Sequence, residues 1–505
     1  MTGVDLLFEP LFYVYLLFGV SVGMVLGIIP GLAGGTGLAI LIPFVFGVEP
    51  VYGIALLIGM LAITTTSDSF SSILLGVPGT AGSQATIIDG YAMARKGEGA
   101  TALGAAFTSS LLGGVFGALV LAVAVFFARP LIMALGSPEL LMLALIGITV
   151  VAIVSRGSLV VGILMAGFGL LLGSAGAAPA AAARRYTFGT EYLYDGFSIV
   201  LLSLGLFAVP ELVKLLASGQ SISEKGTLSG SGSSGVRETL RNPRLVMQSA
   251  TIGAIVGIIP GLGGHVVDWL TYGAASRTVK DNHFGEGDIR GVIAPESANN
   301  AKEGGALIPT ILFSIPGSPA MAIFLGGLML MGVQPGPRMI EQNPTLLFAL
   351  VITLVFANII ATMLAFTASH FFVRVATVPP KKFAPALMVL FAIAAFQRSW
   401  SLLDLVALFG FGTLGVLMVY MGWSRVPLII GYVLSVPIER YLTLSYSLYQ
   451  GFGFMTRPLV IVFAIIIVLM LGGTSIARVR RPRLKASVDQ LIGSIAENRG
   501  PEERS

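Results

Sequence analysis

Long, nearly uninterrupted runs of apolar residues dominate this chain. Four of them are LFYVYLLFGVSVGMVLGII (11–29), LLMLALIGITVVAIV (140–154), LLFALVITLVFANIIATMLAF (346–366) and LVIVFAIIIVLMLGG (459–473). A bilayer core about 30 Å thick needs roughly 20 apolar residues in a helix, so these runs predict membrane-spanning helices. We therefore expect an all-α integral membrane protein with roughly 12–15 membrane segments.

The composition narrows the functional classes. Hydrophobic residues make up 55% of the 505 residues and charged residues 11%, which excludes an ordinary water-soluble surface. The chain has no cysteine and three scattered histidines, so thiolate chemistry and a conventional zinc site are excluded. There is also no GxSxG motif. The sequence predicts a protein that is not an enzyme, has no transition-metal site and binds no nucleic acid.

One polar segment divides the chain. The stretch ASGQSISEKGTLSGSGSSGVRETLRNPR (217–244) is rich in serine and glycine, a composition typical of a flexible linker. It predicts a first transmembrane repeat (1–216), a cytoplasmic linker (217–244) and a second transmembrane repeat (245–476). A basic and polar tail (477–505) follows, and we expect it to be cytoplasmic.

The two halves share motifs in the same order. GIIPGLAGG (27–35) returns as GIIPGLGG (257–264), and SILLGVPGT (72–80) returns as TILFSIPGS (310–318). A third, weaker match joins segments 155–173 and 397–415. Collinear matches whose spacing grows only slowly along the chain indicate an internal duplication.

The distribution of basic residues predicts how the two repeats are oriented. The loop GVEPVYG (47–53) has no basic residue, whereas the corresponding loop of the second half holds Arg277 and Lys280. Because lysine and arginine accumulate on the cytoplasmic side, these two loops should face opposite sides. We expect inverted-topology repeats, an external amino terminus and a cytoplasmic carboxyl terminus.

Four Pro-Gly pairs are candidate helix breaks near the middle of the membrane. They are Pro30-Gly31, Pro78-Gly79, Pro260-Gly261 and Pro316-Gly317. Proline removes an amide donor, and the glycine after it lets the backbone turn or approach a ligand closely. Thr80, Ser83 and Ser318 follow these pairs and can cap new half-helices. Half-helix amino ends suit a carboxylate, and unwound carbonyls suit sodium. The alternative is that these pairs are ordinary kinks and close-packing points.

A polar cluster precedes the last break, in APESANNAKEGGALIP (294–309). Its asparagines, Asn299 and Asn300, can donate to a carboxylate or offer carbonyls to sodium, while Glu296 is a candidate cation ligand. The alternative for Lys302 and Glu303 is a cytoplasmic helix start with solvated charges.

The corresponding stretch of the first half is TTTSDSFSS (64–72). Together with Glu296, it provides the residues of a possible cation site, Thr66, Ser67 and Asp68. An equally open alternative is that Asp68 caps a helix through 69–76. Asp268 and His265, beside the third Pro-Gly pair, are weaker candidates.

At these residues the sequence resembles the large membrane subunit of the tripartite tricarboxylate transporters, the TctA family. The resemblance covers nearly the whole chain and is most specific in 27–50, 73–104 and 295–337. It implies a sodium-driven importer of citrate-like di- and tricarboxylates in the bacterial inner membrane. It also implies a periplasmic solute-binding protein and a small membrane subunit of about four helices as partners. The chain departs from the family's usual glycine-rich stretch at Thr64–Asp68, which leaves the identity of the carboxylate open.

The breaks and the asparagine pair together give the candidate substrate-binding residues. These are Gly31, Gly34, Gly35, Ser72, Gly79, Thr80, Ser83, Gly261, Gly263, Asn299, Asn300, Gly317 and Ser318. The expected coupling ion is sodium, with the proton as an alternative, and no other cofactor is expected. The competing functions are an ion-coupled organic anion carrier that works without a binding protein and an ion channel.

Overall fold

The structure, a computed structural model, describes residues 9–29, 32, 34–133, 135–154, 158–179, 183–218, 229–261, 263–281, 283–369, 371, 380–396 and 400–472. Within these residues the chain is almost entirely helical. A short antiparallel pair of strands, β1 (Gly176–Ala177) and β2 (Arg184–Arg185), is the exception. The predicted all-α class is confirmed.

The helices of the first half are α1 (Pro10–Ile28), α2 (Gly35–Leu41), α3 (Pro50–Leu75), α4 (Thr86–Arg95), α5 (Gly99–Met133), α6 (Ser137–Val154), α7 (Leu159–Gly173), α8 (Ile199–Ser203) and α9 (Val209–Ser218). Those of the second half are α10 (Gly232–Arg241), α11 (Pro243–Ile258), α12 (Gly263–Thr278), α13 (Arg290–Phe313), α14 (Pro319–Leu330), α15 (Pro337–Gln342), α16 (Pro344–Thr367), α17 (Pro380–Phe396), α18 (Leu402–Tyr420), α19 (Val426–Leu448) and α20 (Pro458–Gly472). Short 3₁₀ turns occupy Ile42–Val45, Ala81–Ser83, Glu191–Leu193 and Phe452–Thr456, and a π-helical turn, Leu204–Ala208, joins α8 to α9.

Proline sets the start of many of these helices. Pro10, Pro50, Pro243, Pro319 and Pro344 each occupy the first helical position. The amide of the first helical residue has no partner within the helix, so its absence in proline costs no hydrogen bond there. The fixed φ of proline also matches a helix. The local sequence therefore determines where the membrane helices begin.

Seven helices of the described residues are long and apolar enough to cross a bilayer: α1, α3, α5, α6, α16, α18 and α19. Six shorter apolar helices accompany them, including α11 and α14. Helices of 10–17 residues are too short to span about 30 Å of hydrocarbon alone. Their presence is expected where a crossing is made from pieces interrupted by breaks.

Equivalent helices of the two halves end at equivalent points of the repeated motifs. α1 ends at Ile28, the second residue of GIIPGLAGG, and α11 ends at Ile258, the second residue of GIIPGLGG. α3 and α13 end before Gly76 and Ser314, which occupy the same place in the second pair of motifs. Both of these residues are left-handed, with φ of 65° and 58°. The positions of the helix ends agree with the duplication inferred from the sequence.

Matched glycine contacts join α1 to α3 and α11 to α13. They are Gly19 with Leu56, Gly23 with Met60 and Gly27 with Thr64 in the first half, and Gly253 with Ala298 and Gly257 with Lys302 in the second. Glycine allows two helix backbones to approach closely. In each helix pair the residue numbers of both contact partners rise together, so the two helices run parallel. The segment between them therefore leads back to the end of the bundle at which the first helix begins.

The segment predicted to be a flexible linker, 217–244, contains the helix α10. Its buried face is formed by Gly235 and Thr239, and Thr239 Oγ1 lies 3.4 Å from the carbonyl oxygen of Ala105 on α5. The sequence did not indicate this helix, because its buried face consists of glycine and threonine and shows no apolar stripe. Residues 219–228 of the segment lie outside the described residues.

Basic segments from both halves lie together on one face of the bundle. Lys96, after α4, donates to the carbonyl oxygen of Glu286 at 2.5 Å, in the loop before α13. The amide of Ala100 donates to Ser229 O at 3.0 Å, at the end of the linker. This clustering agrees with one cytoplasmic face, and the sidedness itself stays a prediction.

A buried carboxylate on this face links the two halves. Asp89 Oδ1, on α4, accepts the amides of Gly285, Gly287 and Asp288 at 2.8, 2.8 and 2.9 Å. Its Oδ2 accepts the hydroxyl of Tyr272, on α12, at 2.8 Å. Three amides converging on one carboxylate fix the loop before α13 to the helix that follows the first-half break.

Candidate functional site

A layer of polar side chains lies inside the helix bundle on α3 and α13. On α3, residues 64–72 are all buried and all polar except Phe70. On α13 a cluster of buried polar residues comprises Glu296, Ser297, Asn299, Asn300, Lys302 and Glu303, and Thr310 is buried further along the helix. Polar side chains are costly within a membrane, so a layer of this size indicates a functional site.

The two helices cross in opposite directions within this layer. Ser69 Oγ donates to Glu296 Oε2 at 2.9 Å, and Asn300 Nδ2 donates to Thr66 Oγ1 at 3.0 Å. From the first contact to the second, the residue number on α13 rises from 296 to 300 while that on α3 falls from 69 to 66. These equivalent helices of the two halves are therefore antiparallel at their crossing.

The first-half break packs against Asp68. After α3 ends, the chain turns back and Gly79 lies against Asp68 and Ser71. The predicted alternative, in which Asp68 caps a helix, is wrong because Asp68 lies within α3 and is fully buried. Its side chain instead faces the non-helical turn.

The residues after this break cap the next turn, as predicted. Thr80 Oγ1 accepts the amide of Gly82 at 3.1 Å, and the amide of Thr80 donates to Ser83 Oγ at 3.3 Å. The hydroxyl of Thr80 also donates to Asp68 Oδ2. Thr80 therefore joins the cap to the carboxylate of α3.

The two Pro-Gly pairs of the second half meet each other. The amide of Gly261 donates to the carbonyl oxygen of Gly317 at 2.8 Å. Ser318 Oγ accepts the amide of Met321 at 3.2 Å, which confirms its predicted capping role at the start of α14. Gly317 itself packs against Ala306 of α13.

A break from each half lies beside the same stretch of α13. Gly82, after the first-half break, lies against Asn299, and Gly317 lies against Ala306. Seven residues of helix span about 10 Å along the axis. Both positions fall near the middle of α13, a helix of 24 residues. The interruptions of the two halves thus approach one another in the interior.

Lys302 is a buried lysine of this layer, 8% exposed. Its Nζ donates to the backbone oxygen of Asn299 at 3.2 Å and to the side-chain oxygen of the same residue, and it lies 3.1 Å from Glu303 Oε1. Its charge also attracts Asp68. The alternative of a solvated helix start for Lys302 and Glu303 is wrong, because both lie inside α13 and are buried.

Asn300 connects α3 to α16. Its Nδ2 donates to Thr66 Oγ1 at 3.0 Å and to Asn358 Oδ1 at 3.1 Å. Among the described residues, its Oδ1 has no hydrogen-bond partner, and the same holds for Ser67 Oγ and Asp68 Oδ1. Buried oxygens without partners are expected to receive a ligand, an ion or water.

Glu296 is surrounded by hydroxyl groups. Its Oε1 accepts from Thr86, on α4, at 2.8 Å. Its Oε2 accepts from Ser69, on α3, at 2.9 Å and from Ser110, on α5, at 3.1 Å. Three helices from the first half therefore converge on one carboxylate from the second.

The four residues predicted as one possible cation site have different surroundings. Thr66 contacts Asn300, Ser67 lies against α1, Asp68 faces the first-half break and Glu296 lies among hydroxyls. Asp68 and Glu296 are close enough for their charges to repel. The prediction of a single site is therefore replaced by separate positions within one polar layer.

The first Pro-Gly motif is described only in part. Pro30 and Gly31 lie outside the described residues. Gly34 has a positive φ of 62°, and Gly35 lies beside Pro319 at the start of α14. The end of this motif thus contacts the helix that follows the last break. The other prolines of the motifs lie in non-helical turns, namely Pro78, Pro260 and Pro316.

Three other candidates have mainly structural contacts. Ser72 Oγ donates to a backbone oxygen of its own helix at 3.0 Å. Asp268 Oδ2 accepts the amide of Ala85 at 3.0 Å, which ties α12 to the start of α4. Gly263 begins α12, and the side chain of His265 lies outside the described part of the structure.

The sequence reasoning did not identify Thr86, Ser110 and Asn358 as residues of this layer. Ser110 and Asn358 are polar residues inside long apolar runs, on α5 and α16. A polar residue at such a position is a signal of an interior contact. The contact partners lie 210, 186 and 58 residues away in sequence, so the pairing itself was not visible.

Comparison with known proteins identifies the family of the chain. The model of the tripartite tricarboxylate transporter TctA family matches residues 13–430. The chain belongs to the TctA family. An uncharacterised 52.8 kDa protein from the TAR-I ttuC′ 3′ region of Agrobacterium vitis is 31% identical over 463 residues, covering 90% of this chain and 92% of that protein. An uncharacterised protein from the TAR-II ttuC′ 3′ region of the same organism is 30% identical over 211 residues, covering 41% of this chain and 87% of that protein. No solved structure matches the chain.

Membership of the TctA family confirms the resemblance and defines the protein class. The TctA family is a transporter family, so this multi-pass membrane protein is a membrane subunit of a tricarboxylate transporter and not an enzyme. In the described part of the chain, no group of three or more histidine, cysteine, aspartate or glutamate residues could hold a metal ion. The polar layer is thus the strongest candidate for the transport site of this TctA-family chain.

Proposed function

We propose that this TctA-family chain is the permease of a binding-protein-dependent secondary transporter. It imports small di- and tricarboxylates across the bacterial inner membrane and is driven by sodium. Its partners are a small four-helix membrane subunit and a periplasmic solute-binding protein. The observation that carries the proposal is the buried polar layer of α3 and α13, flanked by one helix break from each half.

The layer supports carriage of an anion because it contains suitable donors. Lys302 supplies a positive charge, and the amides of Asn299 and Asn300 supply donors. Charge-assisted hydrogen bonds to a carboxylate are about twice as strong as neutral ones. We assign the substrate carboxylates to the stretch of α13 from Asn299 to Ala306, which lies beside one break from each half. There the substrate competes with Asp68 and Glu303 for Lys302.

The position of the layer supports alternating access. Secondary transporters of many folds bind substrate near the middle of the membrane, between repeats that enter from opposite sides. The antiparallel crossing of α3 and α13 is the arrangement expected of inverted repeats. The clustering of Lys96 with the loop before α13 is also expected if both are cytoplasmic.

Uptake into vesicles tests this function. We expect vesicles that hold this chain and its small membrane partner, supplied with loaded binding protein, to accumulate a labelled di- or tricarboxylate only with an inward sodium gradient. Replacement of sodium by choline at equal ionic strength should abolish accumulation. Accumulation that is indifferent to both sodium and proton gradients would contradict secondary coupling.

The same vesicles separate the alternative functions. Full uptake without the binding protein would favour a stand-alone carrier. A channel would be favoured if the uptake rate does not saturate with substrate concentration and the internal substrate concentration never exceeds the external one. We expect neither, because the polar layer is enclosed by helices and its interruptions are short turns packed on α13.

A further inference from the structure

Glu296 is a buried carboxylate without a cationic partner among the described residues. It is fully buried in α13, and no lysine or arginine of that part of the chain forms an ion pair or hydrogen bond with it. The nearby Asp68 repels it. An ionised carboxylate in such surroundings costs several kcal/mol unless a positive charge compensates for it.

Three other buried carboxylates of the described chain are compensated differently. Glu139 pairs with Arg457 at 2.5 Å, and Glu303 pairs with Lys302 at 3.1 Å. Asp89 accepts three backbone amides. An ammonium, a guanidinium or a backbone N–H can only donate, so these arrangements leave no room for a cation.

The neighbours of Glu296 are of another kind. Ser69, Thr86 and Ser110 approach it with hydroxyl groups at 2.8–3.1 Å. A hydroxyl oxygen carries lone pairs and can rotate to coordinate a cation as readily as it donates to a carboxylate. With the two carboxylate oxygens, the three hydroxyl oxygens give five oxygen ligands from four helices, the ligand type that hard cations prefer.

We propose that Glu296, Ser69, Thr86 and Ser110 bind one sodium ion, at a site distinct from the substrate position around Lys302. The inference rests on the proposed sodium coupling and assigns it to particular residues. Thr86 belongs to the helix that follows the first-half break, and Glu296 belongs to α13. Sodium at this site therefore holds the segment after the first-half break against α13. Because α13 also carries the substrate position, sodium binding stabilises the arrangement that binds the substrate.

Sodium binding by the purified full-length chain tests the site without transport. We expect the thermal unfolding midpoint to rise saturably with sodium chloride but not with choline chloride at equal ionic strength, because a ligand that binds only the folded state stabilises it. Glu296→Gln should abolish the sodium-dependent rise. Ser110→Ala, a milder change, should raise the half-maximal sodium concentration by about tenfold or more. Binding of ²²Na⁺ should show the same losses.

Glu139→Gln is the matched control, because Glu139 is also fully buried but is paired with Arg457. We expect a lower midpoint without sodium and an unchanged sodium-dependent rise.

The outcomes separate this inference from the proposed function. If uptake needs sodium but Glu296→Gln and Ser110→Ala both retain wild-type sodium binding, the site assignment is overturned and the proposed function stands. If the wild-type chain binds no sodium and uptake follows the proton gradient, both the site and the sodium coupling are overturned. A midpoint that depends on Glu296 and pH but not on sodium would make Glu296 a proton site and overturn the inference.

Discussion

Gly79→Ala is expected to abolish carboxylate uptake and to destabilise the protein. A Cβ at Gly79 would lie 2.6 Å from Asp68 Cβ, 2.6 Å from Ser71 Oγ and 2.8 Å from Asp68 Cα. Since two of these atoms are fixed by α3, the turn itself must move away. Overpacking of this kind costs about 1–3 kcal/mol. It also displaces Thr80 and Gly82 from Asp68 and Asn299, so uptake should fall to background in the vesicle assay.

Two other glycines provide matched controls for this change. Gly317→Ala, at the corresponding position of the second half, meets its nearest atoms at 3.4 Å, which is ordinary contact. It should leave the thermal unfolding midpoint close to wild type. Gly410→Ala on α18 meets no atom within 4 Å and should leave uptake unchanged. Wild-type uptake by Gly79→Ala would show that the close packing of the first break is not needed for transport.

Lys302→Met is expected to abolish uptake and to lower stability by about 3–5 kcal/mol, the usual cost of removing one partner of a buried ion pair. The substitution keeps most of the length of the side chain but leaves Glu303 and Asp68 without their cation. It also removes the charge that we assign to the substrate. Thermal unfolding in detergent and vesicle uptake measure the two effects separately.

A second substitution distinguishes lost charge balance from lost substrate binding. Lys302→Met combined with Glu303→Gln should recover part of the stability, because the unpaired carboxylate is removed with the lysine. Uptake should stay at background in the double variant. If uptake recovers together with stability, Lys302 serves only to balance charge and does not contact the substrate.

The positions of the breaks were largely predictable from the sequence. Proline removes a donor and disfavours helix in the residue before it, so Pro78 and Pro316 predict helix ends. The helices in fact end slightly earlier, before the left-handed residues Gly76 and Ser314. Gly76 suits that conformation, whereas Ser314 carries no such signal in its residue type.

The partners within the polar layer were less predictable. A helix such as α3 is buried over nearly its whole length, so its sequence shows no apolar stripe from which a face could be read. The sequence also left open whether Lys302 is buried or solvated, because a lysine at a solvated helix start has a similar local sequence. The contacts of Glu296 depend on helix packing between residues about 186–227 positions apart.

The architecture explains why the chain tolerates so many polar groups in its interior. Lys302 compensates for Glu303 and attracts Asp68, the hydroxyls of α3 mostly donate to carbonyl oxygens of their own helix, and Asn300 joins Asn358. Satisfied polar groups cost far less in a low-dielectric interior than free ones. The remaining oxygens, those of Ser67, Asp68 and Asn300, mark where a substrate or ion is expected to bind.

Labelling of single cysteines in the two corresponding loops tests the central claim most directly. The chain has no cysteine of its own, so Glu49→Cys and Lys280→Cys, both at exposed positions, can be labelled without a background reaction. With a membrane-impermeant maleimide on intact spheroplasts, we expect Glu49→Cys to react and Lys280→Cys to react only after lysis. Reaction of both, or of neither, before lysis would place the loops on the same side and contradict a transport site built from repeats that enter the membrane from opposite sides.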